Sequence, residues 1–113
     1  MKIPELVFVG IGGSVVAMNR ATGEKVWHTR LKGSDFVNVL LDRDQLYATT
    51  RGEIFCLDAL TGDGRWQNPL KGLGHGLASI ATVNNVSAAP AAILAERLKR
   101  EQEAASRTAT SAG

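Results

Sequence analysis

Residues 46–72 read LYATTRGEIFCLDALTGDGRWQNPLKG, and residues 7–33 read VFVGIGGSVVAMNRATGEKVWHTRLKG. Set one above the other, the two stretches align without a gap at a constant offset of 39 residues. Gly13 falls on Gly52, Thr22 on Thr61, Gly23 on Gly62 and Trp27 on Trp66, while Leu31-Lys32-Gly33 falls on Leu70-Lys71-Gly72. Conservative matches fill the gaps: Phe8/Tyr47, Val15/Ile54, Met18/Leu57, Asn19/Asp58 and Glu24/Asp63. The chain is two copies of one unit.

A repeat of about forty residues suits either the blades of a β-propeller or a helical array. The residues inside the unit choose the first. Leu6–Val9 and Leu46–Thr49 are rich in β-branched and aromatic residues and predict strands. Gly13 and Gly52 mark turns, and Val15–Met18 and Ile54–Leu57 predict a second strand in each copy. Ala21-Thr22-Gly23 and Leu60-Thr61-Gly62 make the next turn, with Asn19 or Asp58 capping it through its side chain. The third strand carries Trp27 or Trp66, and Pro69 marks the second of these as an edge strand. Helical repeats would need 3.6-residue periodicity over long glycine-poor runs, which this unit lacks. The run Gly10-Ile11-Gly12-Gly13 superficially suggests a phosphate loop. Only Gly13 recurs in the second copy, however, and a strand follows it rather than a helix N-terminus, so it reads as a hairpin turn.

Both segments resemble the repeat of pyrroloquinoline-quinone-like (PQQ-like) β-propellers. That pattern is a strand, a Gly, a strand ending in Ala-Leu-Asp, an Ala-x-Thr-Gly turn, and a Trp four residues on. The second copy matches at Leu46, Tyr47, Gly52, Leu57, Asp58, Ala59, Thr61, Gly62 and Trp66. The first matches at Phe8, Val9, Gly13, Ala17, Ala21, Thr22, Gly23 and Trp27, with Asn19 in place of the usual Asp. The resemblance implies an all-β fold of four-stranded blades. It also implies that Trp27 and Trp66 lie flat between neighbouring blades with their indole N–H groups partnered.

Counted against a four-strand blade, residues 6–33 supply three strands and residues 34–72 a full blade, with Phe36–Leu41 innermost. Leu77–Val83 then stands where the next innermost strand belongs, giving two blades, one of them split between the two ends of the chain. Two blades cannot close a propeller. Either identical chains join head to tail, as a tetramer of eight blades or a trimer of six, or the chain is a fragment of a larger propeller protein. In the first case Leu77–Val83 completes the neighbour's N-terminal blade. The propeller repeats are thus expected over residues 1–84. Residues 85–113 form an alanine-rich tail, helical over Ala91–Ala105 and disordered at its end.

The bulk composition agrees with a single small soluble domain: 113 residues, 44% hydrophobic, 21% charged, net charge +2. Basic residues are scattered rather than striped, so no nucleic-acid surface is expected, and no apolar run approaches a membrane span. Residues 1–5 lack the apolar core of a signal peptide, which points to the cytoplasm as written, or to the periplasm if the chain is part of an exported protein. Cys56 is the lone cysteine and aligns with Ala17, so it reads as core filler. His28 and His75 form no metal-ligand spacing with it. Quinoprotein dehydrogenases in the same family use an acidic catalytic residue, a cation-holding carboxylate and often adjacent cysteines. None can be placed here, so no catalytic, cofactor or metal residue is assigned. The expectation is a non-catalytic, self-associating scaffold for an unidentified protein partner, with Lys71 and His75 in a possible binding loop. The alternative is a piece of a quinoprotein dehydrogenase or of an outer-membrane assembly-type scaffold.

Overall fold

A computed structural model describes residues 1–85 and Arg100. After a single 3-10 turn at Ile3–Glu5 come seven strands. These are β1 (Leu6–Ile11), β2 (Ser14–Asn19), β3 (Lys25–Arg30), β4 (Asn38–Asp42), β5 (Gln45–Thr50), β6 (Glu53–Asp58) and β7 (Gly64–Asn68). They form two antiparallel meanders, a three-stranded sheet β1-β2-β3 and a four-stranded sheet β4-β5-β6-β7. The fold is all-β, as a chain of propeller blades requires.

The repeat in sequence is a repeat in hydrogen bonds. Asn19 Oδ1 accepts from the backbone N–H of Ala21 (2.8 Å) and Thr22 (3.3 Å), and Asp58 Oδ1 accepts from Leu60 (2.8 Å) and Thr61 (3.2 Å). The Thr22 and Thr61 hydroxyls each accept from the N–H two residues on, both at 3.2 Å. Gly23 N–H donates to the Asn19 carbonyl and Gly62 N–H to that of Asp58. The ladder slips once in each copy, between Ala17 and Met18 and between Cys56 and Leu57, positions again related by the repeat. Ring pairs repeat too: Phe8 with Trp27 and Tyr47 with Trp66, centroids 6.0 Å apart in both.

Residues 10–13 end β1 and make the turn into β2. Gly12 and Gly13 are the two residues between β1 and β2, at φ +52° and +74°, as a two-residue hairpin with two left-handed positions requires. In the second copy Arg51 and Gly52 adopt the same conformation at +50° and +75°.

The core lies between the two sheets. Val15 of β2 packs with Val37, Leu46, Ala48, Leu57 and Ala59, flanked by Ile3, Phe8, Trp27, Leu31, Val39 and Leu41. Val15, Leu46 and Ala48 are wholly buried, and each leucine or valine so placed contributes about 1.5–3 kcal/mol. Cys56 is also wholly buried, and burial pushes its thiol pKa up, so it fills space as a small apolar group.

Three expectations are corrected. Leu77–Val83 is not a strand: among these residues only Ala81 makes an isolated bridge. The edge it was expected to complete is β1 of a neighbouring copy, and within one chain the first sheet keeps three strands. Residues 77–85 instead lie alongside β4 through side chains: Asn38 Nδ2 donates to Ala78 O (2.9 Å), Asn85 Nδ2 to Leu41 O (2.8 Å) and Asn84 Nδ2 to Asp42 Oδ1 (3.0 Å). The innermost strand begins at Asn38, two residues later than Phe36, which stays half exposed. Pro69 ends β7 rather than lying within it, since proline cannot donate to the ladder. The helix expected over 91–105 and the disordered end at 106–113 lie outside the described residues, Arg100 aside. No helix among those described is long and apolar enough to cross a membrane.

Candidate interaction site

Two surfaces of the blades carry the sequence-predicted residues. The first is the loop that leaves β7. Leu70, at φ +47°, and Gly72 and Gly74, at +84° and +89°, fold it back over the β5–β6 turn. His75 Nδ1 comes within 3.2 Å of the Arg51 carbonyl there. A cleft opens on either side of this crossing. One, of about 210 Å³, is lined by Asp35, Asn38, Thr49, Thr50, Arg51 and His75, among others. The other, of about 430 Å³, is lined by residues including Lys32, Glu53, Lys71 and His75. Lys71 and His75 are thus brought to one loop, both exposed.

The charges of this loop are mostly compensated. Lys32 Nζ meets Glu53 at 3.2 Å, and Arg51 meets Asp35 at 3.3 Å. Lys71 has no ion pair among the described residues, so the larger cleft keeps one uncompensated positive charge. In the smaller cleft, Thr49 Oγ1 is buried without a hydrogen-bond partner. A buried hydroxyl left unpaired is costly, so this one favours a water or a polar ligand atom in the cleft. Sequence reasoning missed Thr49, Asp35 and Arg51, because only the chain crossing brings them beside His75.

The second surface is the contact between blades. Trp27 is half buried, its Nε1–H donates to the Ala59 carbonyl at 3.0 Å, and its ring covers Gly62. Thr29 Oγ1 adds a bond to Gly62 O at 2.6 Å. Trp27 therefore docks one blade on the Thr61–Gly62 turn of the next. Trp66 does not: it is 48% exposed, because no blade follows β7 among the described residues. A groove of about 360 Å³ between the sheets runs from Thr29 and Leu31 to Phe55 and Trp66.

Asp58 ties its turn to Arg65, which lines this groove. Arg65 reaches it at 2.9 Å and Asp44 at 3.3 Å. The hydrogen bond from Arg65, helped by the backbone N–H groups of Leu60 and Thr61, holds the Asp58 carboxyl below the usual carboxylate range. A depressed pKa contributes stability above the unfolded value and loses it as pH falls through the folded one. Asp58→Asn, which installs the first copy's residue, is expected to keep the turn and to remove this acid dependence. Thermal melts between pH 7 and pH 3 check it: the wild type should lose more stability than the variant on acidification.

Glu53, Asp35, Asp44 and Asp58 each face a lysine or arginine, and no three His, Cys, Asp or Glu side chains gather among the described residues. No curated protein matches the chain. The family described as outer membrane protein assembly factor BamB matches residues 4–97, nearly the whole repeat region and part of the tail. With the offset hydrogen bonds, the docked Trp27 and the two blade-like meanders, that match places the chain in the BamB-type PQQ-like repeat family.

Proposed function

We propose that the chain is a non-catalytic PQQ-like propeller module that assembles head to tail into a closed ring and acts as a protein-interaction platform. The observation that supports it is the strand arithmetic: a three-stranded blade with a free β1 edge, and, beyond the complete blade, a segment lying beside β4. In a ring, residues 77–83 would add to β1 of the next copy, giving both blades four strands. Such a contact joins unlike faces and closes only when the rotation per subunit divides a full turn. The platform would be the Lys71–His75 loop and its clefts, with the charge on Lys71 favouring an acidic partner.

A second reading is a segment of a longer propeller. The exposed face of Trp66 favours it, as does a family match described as an outer-membrane assembly factor. Light scattering of the purified chain separates the two. The ring predicts one defined particle of three or four chains, and a monomer or polydisperse aggregate would sink it. Addition of pyrroloquinoline quinone and calcium is expected to produce no dye-linked alcohol oxidation; clear turnover would overturn the non-catalytic assignment.

A further inference from the structure

We propose that the smaller cleft beside His75 binds a neutral, hydroxylated small molecule, a monosaccharide or a polyol of that size. The cleft belongs to the loop surface described above. All of its residues lie between Asp35 and Ala78 of one chain, however, so the proposal does not rest on ring closure.

The cleft lies where the two copies of the repeat part company. At the offset of 39 residues, Thr49 falls on Gly10, Arg51 on Gly12 and His75 on Phe36. None of the three belongs to the shared pattern of turns and tryptophans. The first copy has no room for the first of them, since a Cβ at Gly10 would collide with the Val37 carbonyl oxygen. The needs of a blade therefore do not account for these polar side chains.

Thr49 carries the argument. It is 5% exposed, and its Oγ1 is buried without a partner among the described residues. Thr49 stands opposite Asn38 in the β4–β5 ladder, so the two side chains share one face of the sheet. On that face Asn38 Nδ2 reaches the carbonyl of Ala78, which also lines the cleft. An unpaired buried hydroxyl costs free energy that a valine of nearly the same shape would not. A ligand hydroxyl, able both to donate and to accept, supplies the missing bond.

The rest of the wall selects against charge. Arg51 and Asp35 meet at 3.3 Å, so the guanidinium is compensated and the carboxylate repels an anion. Side by side they present N–H donors and oxygen acceptors, which two adjacent hydroxyls match, one accepting and one donating. His75 Nδ1 lies 3.2 Å from the Arg51 carbonyl, which only accepts, so Nδ1 carries the proton and the neutral ring keeps Nε2 as an acceptor. Phe36 and Leu77, both half exposed, add apolar surface for the CH groups of a sugar ring. The volume of about 210 Å³ equals that of about seven waters, room for a single six-membered sugar ring.

Amide chemical-shift mapping of the full chain, titrated separately with glucose and with glucuronate, tests this. Glucose is expected to bind with a Kd of about 1 mM, the range for so small a ligand with few partners. It should shift the amides of Thr49, Arg51 and His75 and leave those of Gly10 and Gly12 in place. Glucuronate, the same ring bearing a carboxylate, should bind about fivefold more weakly. Maltose beside glucose tells the end of a glycan from a free sugar, and binding of either supports the proposal. Thr49→Val should weaken glucose binding about tenfold, the worth of one hydrogen bond. The same variant should raise the melting temperature of the ligand-free chain by about 2–6 °C, because the unpaired hydroxyl is gone. Asp35→Asn, at an exposed position, should weaken glucose binding and erase its advantage over glucuronate. Tighter binding of glucuronate, a Thr49→Val chain that melts lower, or no shift in the cleft far above 1 mM would overturn the proposal. None of these outcomes bears on the ring, which stands or falls on the mass of the particle.

Discussion

Gly62→Ala is expected to cost about 3–4 kcal/mol, and Gly23→Ala, at the same backbone angle one repeat away, about 1–2 kcal/mol. Both glycines occupy the left-handed region, so both alanines meet the same backbone penalty. What separates them is the neighbour. At Gly62 an added Cβ would sit 2.5 Å and 2.6 Å from Trp27 ring atoms and 2.7 Å from Thr29 Oγ1. A ring held by its own hydrogen bond cannot retreat without releasing the Ala59 carbonyl. At Gly23 the added methyl meets open space. Urea denaturation of the dilute chain measures both, with self-association kept out of the reading. Equal losses at the two sites would mean that Trp27 does not press on the Gly62 turn.

Trp27→Ala is the second large effect. Removing a buried aromatic costs about 3–5 kcal/mol, and for a half-buried one about 3 kcal/mol is expected. The loss includes the ring contact with Phe8 and the bond to Ala59, so it loosens one blade from the other rather than one strand from its sheet. Trp66→Ala in the dilute chain should cost about 1 kcal/mol, because half of that ring is already in water. The two large effects should also couple. In a Trp27→Ala background, the penalty for Gly62→Ala should shrink to that of Gly23→Ala, since the clash has lost its other party. Additive losses would contradict the geometry.

The pair of tryptophans also marks how far the residues alone could be read. The turns were legible because their hydrogen bonds are local: an Asn or Asp, a Thr three residues on and a Gly after it specify both donors and acceptors within six positions. Asn19 does the work of Asp58 because only its side-chain oxygen is used. Burial was not legible in the same way. Trp27 and Trp66 share a motif, an aromatic neighbour and a strand position, yet one is docked and the other open. The difference lies in whether a blade follows among the described residues, which no local pattern encodes. Leu77–Val83 is a related case: its apolar residues suit a strand, but the edge expected to pair with it is β1 of another copy. Arg51 escaped notice as well: it takes a left-handed conformation where the first copy has Gly12, because the flanking ladder from Thr50 to Glu53 holds the turn shut. Of the candidate loop, Lys71 and His75 were legible as an exposed, glycine-bounded stretch. The clefts beside them depend on Thr49 and Asp35, which reach the loop only through the path of the chain.

Every ladder in both sheets joins strands that are consecutive in the chain. Closing such short loops costs little entropy, so each meander can form on its own within a fast folding phase. The Trp27 contact with the Gly62 turn spans more than thirty residues and can form only after the second meander exists. On a ribosome, then, the β1–β3 meander would emerge before the turn on which Trp27 docks. It becomes locked only when the following turn leaves the exit tunnel, and until then its apolar face is open to whatever meets it first.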